Sequence, residues 1–202
     1  MADCLICSRI NLIKSQQSPH FVKELKTGYV VIGDHQTYRG YTVFMCKYHV
    51  TELHELDTHI RNEFLLEMAD VAQAVFQAFK PDKLNYDLLG NSDPHMHWHL
   101  FPRRKTDLQP QTAVWSVEKI QREYLPTTAE VIELKNKLLV ELDTIVGKHG
   151  WSSAPTNSQA PKENFVAGGN NYCLSLPWIF HLTVCDSRPH TGFSCAATTD
   201  RI

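Results

Sequence analysis

Three histidines alternate with apolar residues in the segment His-Met-His-Trp-His-Leu-Phe, which spans residues 95–101. Alternate side chains of a strand point to the same face, so this spacing predicts three imidazole rings on one face and an apolar surface on the other. Imidazole titrates near neutral pH, so charged rings can bind a phosphate while a neutral ring keeps one nitrogen free to attack it. We therefore predict His97 as the nucleophile, with His95 and His99 on either side of the phosphate.

Two other interpretations of the three histidines stay open at this point. They could be structural or surface residues, although this is less common for three alternating histidines than for a single one. Alternatively, two histidines of one strand and a third could hold a catalytic zinc ion with an open coordination position. A zinc hydrolase of that kind normally has a nearby carboxylate or another partner that polarises water, and Asp93 is the only adjacent candidate.

Cys4 and Cys7 form a second group that could carry chemistry. Their Cys-x-x-Cys spacing is typical of metal ligands, and it also occurs where two small thiols are buried at the start of a helix. The first residues lack the basic and then apolar pattern of a secretory signal. We therefore expect a cytoplasmic protein whose cysteines stay reduced.

The segments around these residues predict an α+β fold. Apolar residues recur every three or four positions from Asp57 to Phe79, which predicts one long amphipathic helix capped by Asp57 or Thr58. A short helix is expected near the N-terminus. Alternating or β-branched segments bounded by turn residues predict strands, and a βαββ order with short links is typical of an antiparallel sheet. The predicted strands are residues 29–32, 41–45, 84–89 and 95–101.

The sequence after the triad predicts an extension of the catalytic domain. We expect a catalytic domain over residues 1–115 and a helical extension over residues 116–148, in which Thr127 and Glu130 have the spacing of a capping box. Residues 149–202 begin with a stretch rich in Ser, Pro, Asn and Gly, which is typical of a linker, and continue into a tail of unresolved type.

The overall composition excludes some partners. The formal net charge is −2, so no long-range attraction for nucleic acid is expected. No apolar segment reaches the roughly 18 to 20 residues that a membrane span needs, so no membrane partner is expected. We predict instead a small anionic ligand that is bound locally.

These residues together resemble the histidine-triad (HIT) family, whose signature is H-φ-H-φ-H-φ-φ with φ apolar. Residues 95–101 match every position. Residues 40–49 resemble the family's G-H-T-L-V-I-P-K-x-H strand, with Tyr41 and Cys46 in place of its histidine and proline. Residues 4–7 resemble the C-x-F-C opening of many bacterial members. The resemblance covers about residues 3–115 and implies a HIT-like antiparallel sheet with one long helix.

The resemblance also implies an activity. It points to a hydrolase that cleaves a nucleoside 5′-phosphate from a leaving group, either a phosphoramidate or a dinucleoside polyphosphate, through a nucleotidyl-His97 intermediate. His95 and His99 would bind the non-bridging oxygens of the phosphate. Asp34 matches the aspartate that holds the ribose hydroxyls in family members. A homodimer is implied as well.

One segment departs from the family pattern. Family hydrolases carry G-Q-S/T before the triad, whereas this chain has Asn91-Ser92-Asp93-Pro94. Asn91 and Ser92 are the candidate phosphate contacts. The string Ser-x-Pro-His-x-His also resembles galactose-1-phosphate uridylyltransferases. Hydrolysis, nucleotidyl transfer and nucleotide binding without turnover therefore stay open.

A structural zinc ion is the last implication of the resemblance, and no organic cofactor is implied. In HIT proteins with the cysteine opening, two cysteines, the histidine after the second strand and the first triad histidine bind the metal. The corresponding residues are Cys4, Cys7, His49 and His95.

Overall fold

A computed structural model describes residues 4–148, and the predicted linker and tail at residues 149–202 lie outside the described residues. Five antiparallel strands form one sheet in the order β1-β2-β3-β5-β4. The strands are β1 Phe21–Glu24, β2 Gly28–Ile32, β3 Thr42–Cys46, β4 Lys83–Leu88 and β5 His97–Arg103. The predicted α+β class with an antiparallel sheet is confirmed.

Helices cover both faces of this sheet. The described α-helices are α1 Leu5–Lys14, α2 Thr58–Phe79, α3 Lys119–Arg122 and α4 Thr128–Lys148. Single turns of 3-10 helix occur at Leu53–Glu55 and Val114–Ser116. Within residues 4–148, no helix is both long enough and apolar enough to cross a bilayer.

The predicted ends of the two long helices are confirmed. The Asp57 side chain accepts a hydrogen bond from the backbone N–H of His59 and caps α2. Lys80 ends that helix in the left-handed conformation, directly before Pro81. At the start of α4, Thr127 and Glu130 each accept a hydrogen bond from the other's backbone N–H. This reciprocal pair is the capping box that the spacing predicts.

Strand β1 is absent from the sequence prediction. Its four residues are Phe-Val-Lys-Glu, and its pairing with β2 is irregular between Phe21 and Lys23. The buried side chain of Glu67 on α2 fixes the following turn, because it accepts hydrogen bonds from the backbone N–H groups of Lys26 and Thr27. A contact forty residues along the chain therefore stabilises an edge strand too short to be recognised by its own pattern.

The triad strand begins later than predicted. β5 starts at His97, whereas residues 95 and 96 precede it. The backbone N–H of His95 donates to the carbonyl of Asp93 at 2.7 Å, which forms a tight turn after Pro94. Met96 pairs with Val50 beyond the end of β3. His95 is therefore held in a turn, and only the two later histidines of the triad lie on the regular strand.

The sheet has one face that packs on α2 and α4. This face carries the larger buried cluster, which includes Phe44, Leu100, Phe64 of α2 and Leu138 of α4. Burying a large apolar side chain of this kind stabilises a fold by roughly 1.5–3 kcal/mol. The predicted helical extension therefore packs on the same core as the long helix.

The opposite face packs on α1. Ile6, Ile10 and Ile13 of α1 are buried against residues of β2 and β3, including Val43 and Met45. Met45 is directly opposite His97 in the sheet, and Val43 is opposite His99. Directly opposed residues of antiparallel strands share a face. Both histidines therefore lie on the α1 face.

Candidate active site

His97 is held by its neighbour's backbone. Its Nδ1–H donates to the carbonyl oxygen of His95 at 2.5 Å. A neutral imidazole carries one proton, so this hydrogen bond leaves the lone pair on Nε2. The side chain is 4% exposed and yet lines two cavities. This arrangement provides an oriented, unprotonated nitrogen at the wall of a cavity.

His99 lies beside His97, with the two rings edge to face at a centroid distance of 4.6 Å. Its Nδ1 is 2.6 Å from the hydroxyl oxygen of Tyr41. Burial, together with the nearby charge of His97, lowers the pKa of His99 to about 3. Burial also raises the pKa of Tyr41. Both groups are therefore neutral at physiological pH, and Tyr41 is a site residue that the sequence indicates only as a departure from a family pattern.

The ring of His95 faces a different group. Its Nε2–H donates to the carbonyl oxygen of Cys46 at 2.9 Å, and its Nδ1 lies 3.2 Å from Nδ1 of His49. Both ring nitrogens are engaged; His95 is absent from the lining of the two cavities that His97 and His99 share, and it lines a third cavity with His97. The structure brings His97 and His99 together, and it connects His95 to them through its backbone carbonyl.

Four side chains converge at the start of α1, and their candidate ligand atoms all lie within 4.8 Å of one another. Nδ1 of His95 is 3.5 Å from each of the two sulfurs, and the sulfur of Cys7 is 3.3 Å from Nδ1 of His49. Tetrahedral zinc, with bonds of about 2.0 Å to nitrogen and about 2.3 Å to sulfur, places its ligands about 3.3–3.8 Å apart. The group therefore fits zinc. The four residues are Cys4, Cys7, His49 and His95.

Asp34 follows β2 and lines a cavity with His97 and His99, which we call the α1 cavity. Arg9 of α1 donates to both carboxylate oxygens of Asp34, with Nη1 at 2.8 Å from Oδ1. Burial alone would raise the pKa of Asp34, but the hydrogen bonds and charge of Arg9 outweigh it, so the pKa is lowered. Asp34 is therefore an oriented anion. No sequence pattern indicates its pairing with Arg9.

The apolar part of the α1 cavity comes from α1 and β2. Leu5 and Ile6 form one wall, and Val31 lies behind them. Gly33 allows the ring of Tyr41 to approach the backbone, because a Cβ at that position would lie 2.2 Å from a ring carbon. The lining of the α1 cavity thus combines apolar side chains, the carboxylate of Asp34 and the two histidines His97 and His99.

The model of a known family matches this arrangement. Residues 14–106 match the family model described as the HIT domain. This part of the chain is therefore similar to the HIT domain. The predicted family resemblance is confirmed, and α1 lies almost entirely before the matched part of the HIT domain.

Individual relatives agree with the family assignment. A protein of Saccharomyces cerevisiae named adenosine 5′-monophosphoramidase is 30% identical over 110 residues, a match that covers 51% of this chain and 64% of the yeast protein. The match therefore spans less than two thirds of that relative. A histidine triad protein of Bradyrhizobium japonicum has the same fold, with 24% identity, a TM-score of 0.56 and coverage of 60% of this chain and 89% of that one.

A third relative is described as zinc-bound. It is a histidine triad family protein of Mycobacterium smegmatis, which is 18% identical and has a TM-score of 0.53. The alignment covers 72% of this chain and 97% of that one. At this identity the similarity shows the fold.

A second cavity of the HIT domain lies beside the loop before β5, and we call it the loop cavity. The candidate phosphate contacts Asn91 and Ser92 are exposed and line it. Asp93 is half-buried and lines both cavities, as do the two histidines of β5. The structure therefore brings Asn91, Ser92 and Asp93, which depart from the family pattern, to the same cavity as His97 and His99.

Trp115 closes the far side of the loop cavity, although the sequence assigns it no role. Its ring meets His99 edge to face at 5.1 Å between centroids, and its Nε1–H donates to Asp87 at 2.9 Å. Trp115 lies beyond the part of the chain that matches the family model. No local pattern connects it with the triad.

Proposed function

We propose that this protein is a hydrolase that cleaves a nucleoside 5′-phosphate from an amine or phosphate leaving group through a nucleotidyl-His97 intermediate. The observation that carries the proposal is the hydrogen bond from Nδ1 of His97 to the carbonyl of His95, which leaves Nε2 free at the cavity wall. The name of the yeast relative, an adenosine 5′-monophosphoramidase, supports an adenosine phosphoramidate as the first substrate to test.

In the first step, Nε2 of His97 attacks the α-phosphorus and the bond from phosphorus to the leaving group breaks. A leaving amine takes a proton from water as it departs. The non-bridging oxygens gain negative charge, so fixed hydrogen-bond donors accelerate the step. We infer that His99 supplies one such donor: in the tautomer whose Nδ1 accepts from the Tyr41 hydroxyl, Nε2 carries the proton of the neutral ring.

In the second step, water attacks the phosphorus and the bond from phosphorus to Nε2 of His97 breaks. The attacking water loses a proton to solvent, which balances the proton taken up by the leaving amine. The products are a nucleoside monophosphate and the free enzyme. The carbonyl of His95 keeps the same ring orientation in both steps, because it accepts from Nδ1 throughout.

The α1 cavity is proposed to hold the nucleoside. Its apolar end fits a base, and the ionised carboxylate of Asp34 can accept hydrogen bonds from ribose hydroxyls. Asn91 and Ser92 lie on the other side of the catalytic pair, where they can contact the phosphate and the leaving group. A carboxylate has additional lone pairs, so Asp34 can bind a ribose while it remains paired with Arg9.

Zinc is proposed as a structural ion held by the four residues at the start of α1. When bound, it would supply a tetrahedral cross-link between α1, the end of β3 and the turn at His95. Cys46 accepts from Nε2 of His95, which directs Nδ1 of that ring toward the cluster. His95 would therefore act on His97 by positioning. The predicted homodimer and cytoplasmic location remain proposals.

Measurement of AMP release tests the proposed hydrolase activity. The full chain is incubated with an adenosine 5′-phosphoramidate and with a diadenosine polyphosphate, and AMP is measured. We expect AMP from the wild type and a loss of at least about 10³-fold in kcat/KM for His97→Ala. His54→Ala, at an exposed histidine of the same chain, is the matched control and should retain activity.

Three results would contradict the proposal or select an alternative. AMP release by His97→Ala at the wild-type rate would reject His97 as the nucleophile. Tight nucleotide binding with no product from any substrate would identify a binding module without turnover. Transfer of the nucleotidyl group to a sugar phosphate in preference to water would identify a transferase, which the string from Ser92 to His97 resembles.

A further inference from the structure

The two cavities meet at three residues. Asp93, His97 and His99 line both the α1 cavity and the loop cavity. If a nucleoside occupies the α1 cavity and its phosphorus lies at His97, the leaving group extends into the loop cavity. This step rests on the proposed function, and it makes the loop cavity the place where leaving groups are distinguished.

The charge of the loop cavity is set by Asp93. Among the residues described, no lysine or arginine lines this cavity, whereas the half-buried carboxylate of Asp93 does. His99 adds no charge, because it is neutral. Arg9, on the α1 side, is paired with Asp34, and it also interacts electrostatically with Asp93. A leaving group therefore meets one carboxylate and no positively charged side chain in the cavity wall.

A nearby cation lies outside the lining. The guanidinium of Arg122 is 5.0 Å from the ring centroid of Trp115, and its Nε donates to the carbonyl of Val117. Trp115 also donates to the carboxylate of Asp87, which adds a second anion on that side. Arg122 is thus the residue through which an anionic leaving group could be bound, and an experiment must separate its effect from that of Asp93.

We propose that Asp93 is a specificity-determining residue, which favours leaving amines that carry a positive charge and disfavours leaving groups that contain further phosphates. The lining of the loop cavity also includes the apolar side chains of Leu89 and Trp115. A short alkyl chain with a terminal ammonium group matches both surfaces. A phosphate chain would place its negative charges next to a carboxylate. It would also lose hydrating water against apolar side chains, which costs binding free energy.

Binding measurements test this selection separately from turnover. The ligands are three adenosine 5′-phosphate compounds that differ in the charge of the leaving group: the phosphoramidate of 1,4-diaminobutane, with a cationic leaving group, the phosphoramidate of butylamine, with an uncharged one, and ADP, with an anionic one. Their Kd values are measured by calorimetry with the full chain carrying His97→Ala, which prevents consumption of the ligand. The same compounds are assayed for turnover with the active enzyme.

We expect the Kd values of the two compounds with charged leaving groups to change in opposite directions. Adding Asp93→Asn should raise the Kd of the diaminobutane compound and lower the Kd of ADP, each on the order of tenfold for a partly solvated charge pair. The butylamine compound should be unchanged. Asp143→Asn, which removes the same charge from α4 beside β1, is the matched control and should shift none of the three.

Two results would overturn the selection by Asp93. One is an unchanged ratio of the Kd values for ADP and the diaminobutane compound when Asp93 is replaced. The other is a preference for ADP that Arg122→Gln removes. A lack of turnover with the active enzyme would reject the proposed hydrolase, but the order of the three Kd values would still decide the role of Asp93. Absence of binding by all three compounds would overturn both.

Discussion

The two faces of the sheet differ in how their residues are distributed along the chain. The face under α2 and α4 is formed by apolar residues with regular helical spacing, and its centre is fully buried. The α1 face combines a short helix, a cluster of four candidate metal ligands and two histidines, and its polar groups are paired over long chain separations. Stability and chemistry are thus concentrated on opposite faces of one sheet.

The largest expected change in stability concerns the α2 and α4 face. Leu138 of α4 is fully buried in the main cluster, so Leu138→Ala should lower the free energy of unfolding by about 2–5 kcal/mol. Because this face carries no site residue, kcat/KM per folded molecule should be unchanged. Urea unfolding and active-site titration measure the two effects. Val140→Ala, at an exposed position of the same helix, is the control and should change stability by less than about 0.5 kcal/mol.

Leu138→Ala also tests whether the two faces of the sheet act independently. If Leu138→Ala lowered kcat/KM of the folded protein as strongly as it lowered stability, the faces would be energetically coupled. The separation of core and site would then be wrong.

Removal of metal should act on the α1 face. Zinc that binds only the folded state, at about 100 times its Kd, adds about 3 kcal/mol to the free energy of unfolding. Chelation should therefore lower the urea midpoint, and zinc should restore it. Cys7→Ser should show a smaller response to chelation, while Cys46→Ser, at a buried thiol outside the cluster, should keep the full response relative to its own starting stability. An unchanged midpoint with one equivalent of zinc removed would contradict a structural role.

A smaller effect concerns pH. The pKa of His99 is lowered to about 3, mainly by burial, so the folded state keeps this ring neutral while the unfolded state protonates it near pH 6.5. Stability from His99 is therefore present above pH 6.5 and is lost as pH falls below it, by about 2 kcal/mol between pH 7 and pH 5. His99→Gln should flatten the pH dependence of the unfolding free energy by this amount.

The control for pH is another histidine. His54→Gln, at an exposed position, should leave the wild-type slope. Because both variants retain the four candidate metal ligands, the difference between their pH slopes isolates the contribution of His99. Equal slopes for His99→Gln and the wild type would show that the pKa of His99 is the same in the folded and unfolded states, which would contradict the lowering of this pKa by burial.

The same contrast explains how much the sequence predicts. The spacing of apolar residues predicts α2, and the pair Thr127 and Glu130 predicts the start of α4, because helices are determined by contacts three or four residues apart. The alternation at residues 95–101 likewise predicts that His97 and His99 share a face. It does not predict that His95 lies in a turn and faces Cys4, Cys7 and His49, since that depends on Pro94 and on pairing with β3.

The polar partners of the site lie beyond any local pattern. Arg9 meets Asp34 across 25 residues, and Tyr41 meets His99 across 58. Trp115 reaches the triad from outside the family match. Such pairs are determined by which elements the sheet topology places side by side, so a single sequence contains the residues without indicating their partners.

The most direct test of the central claim is to trap the covalent intermediate. The full chain is mixed with an adenosine 5′-phosphoramidate labelled at phosphorus, quenched in alkali within milliseconds to preserve the acid-labile bond, digested and mapped by mass spectrometry. The mechanism predicts one labelled residue, His97, and no label in His97→Ala. A label on His99 or another residue, or rapid AMP release with no labelled protein at any time point, would contradict it.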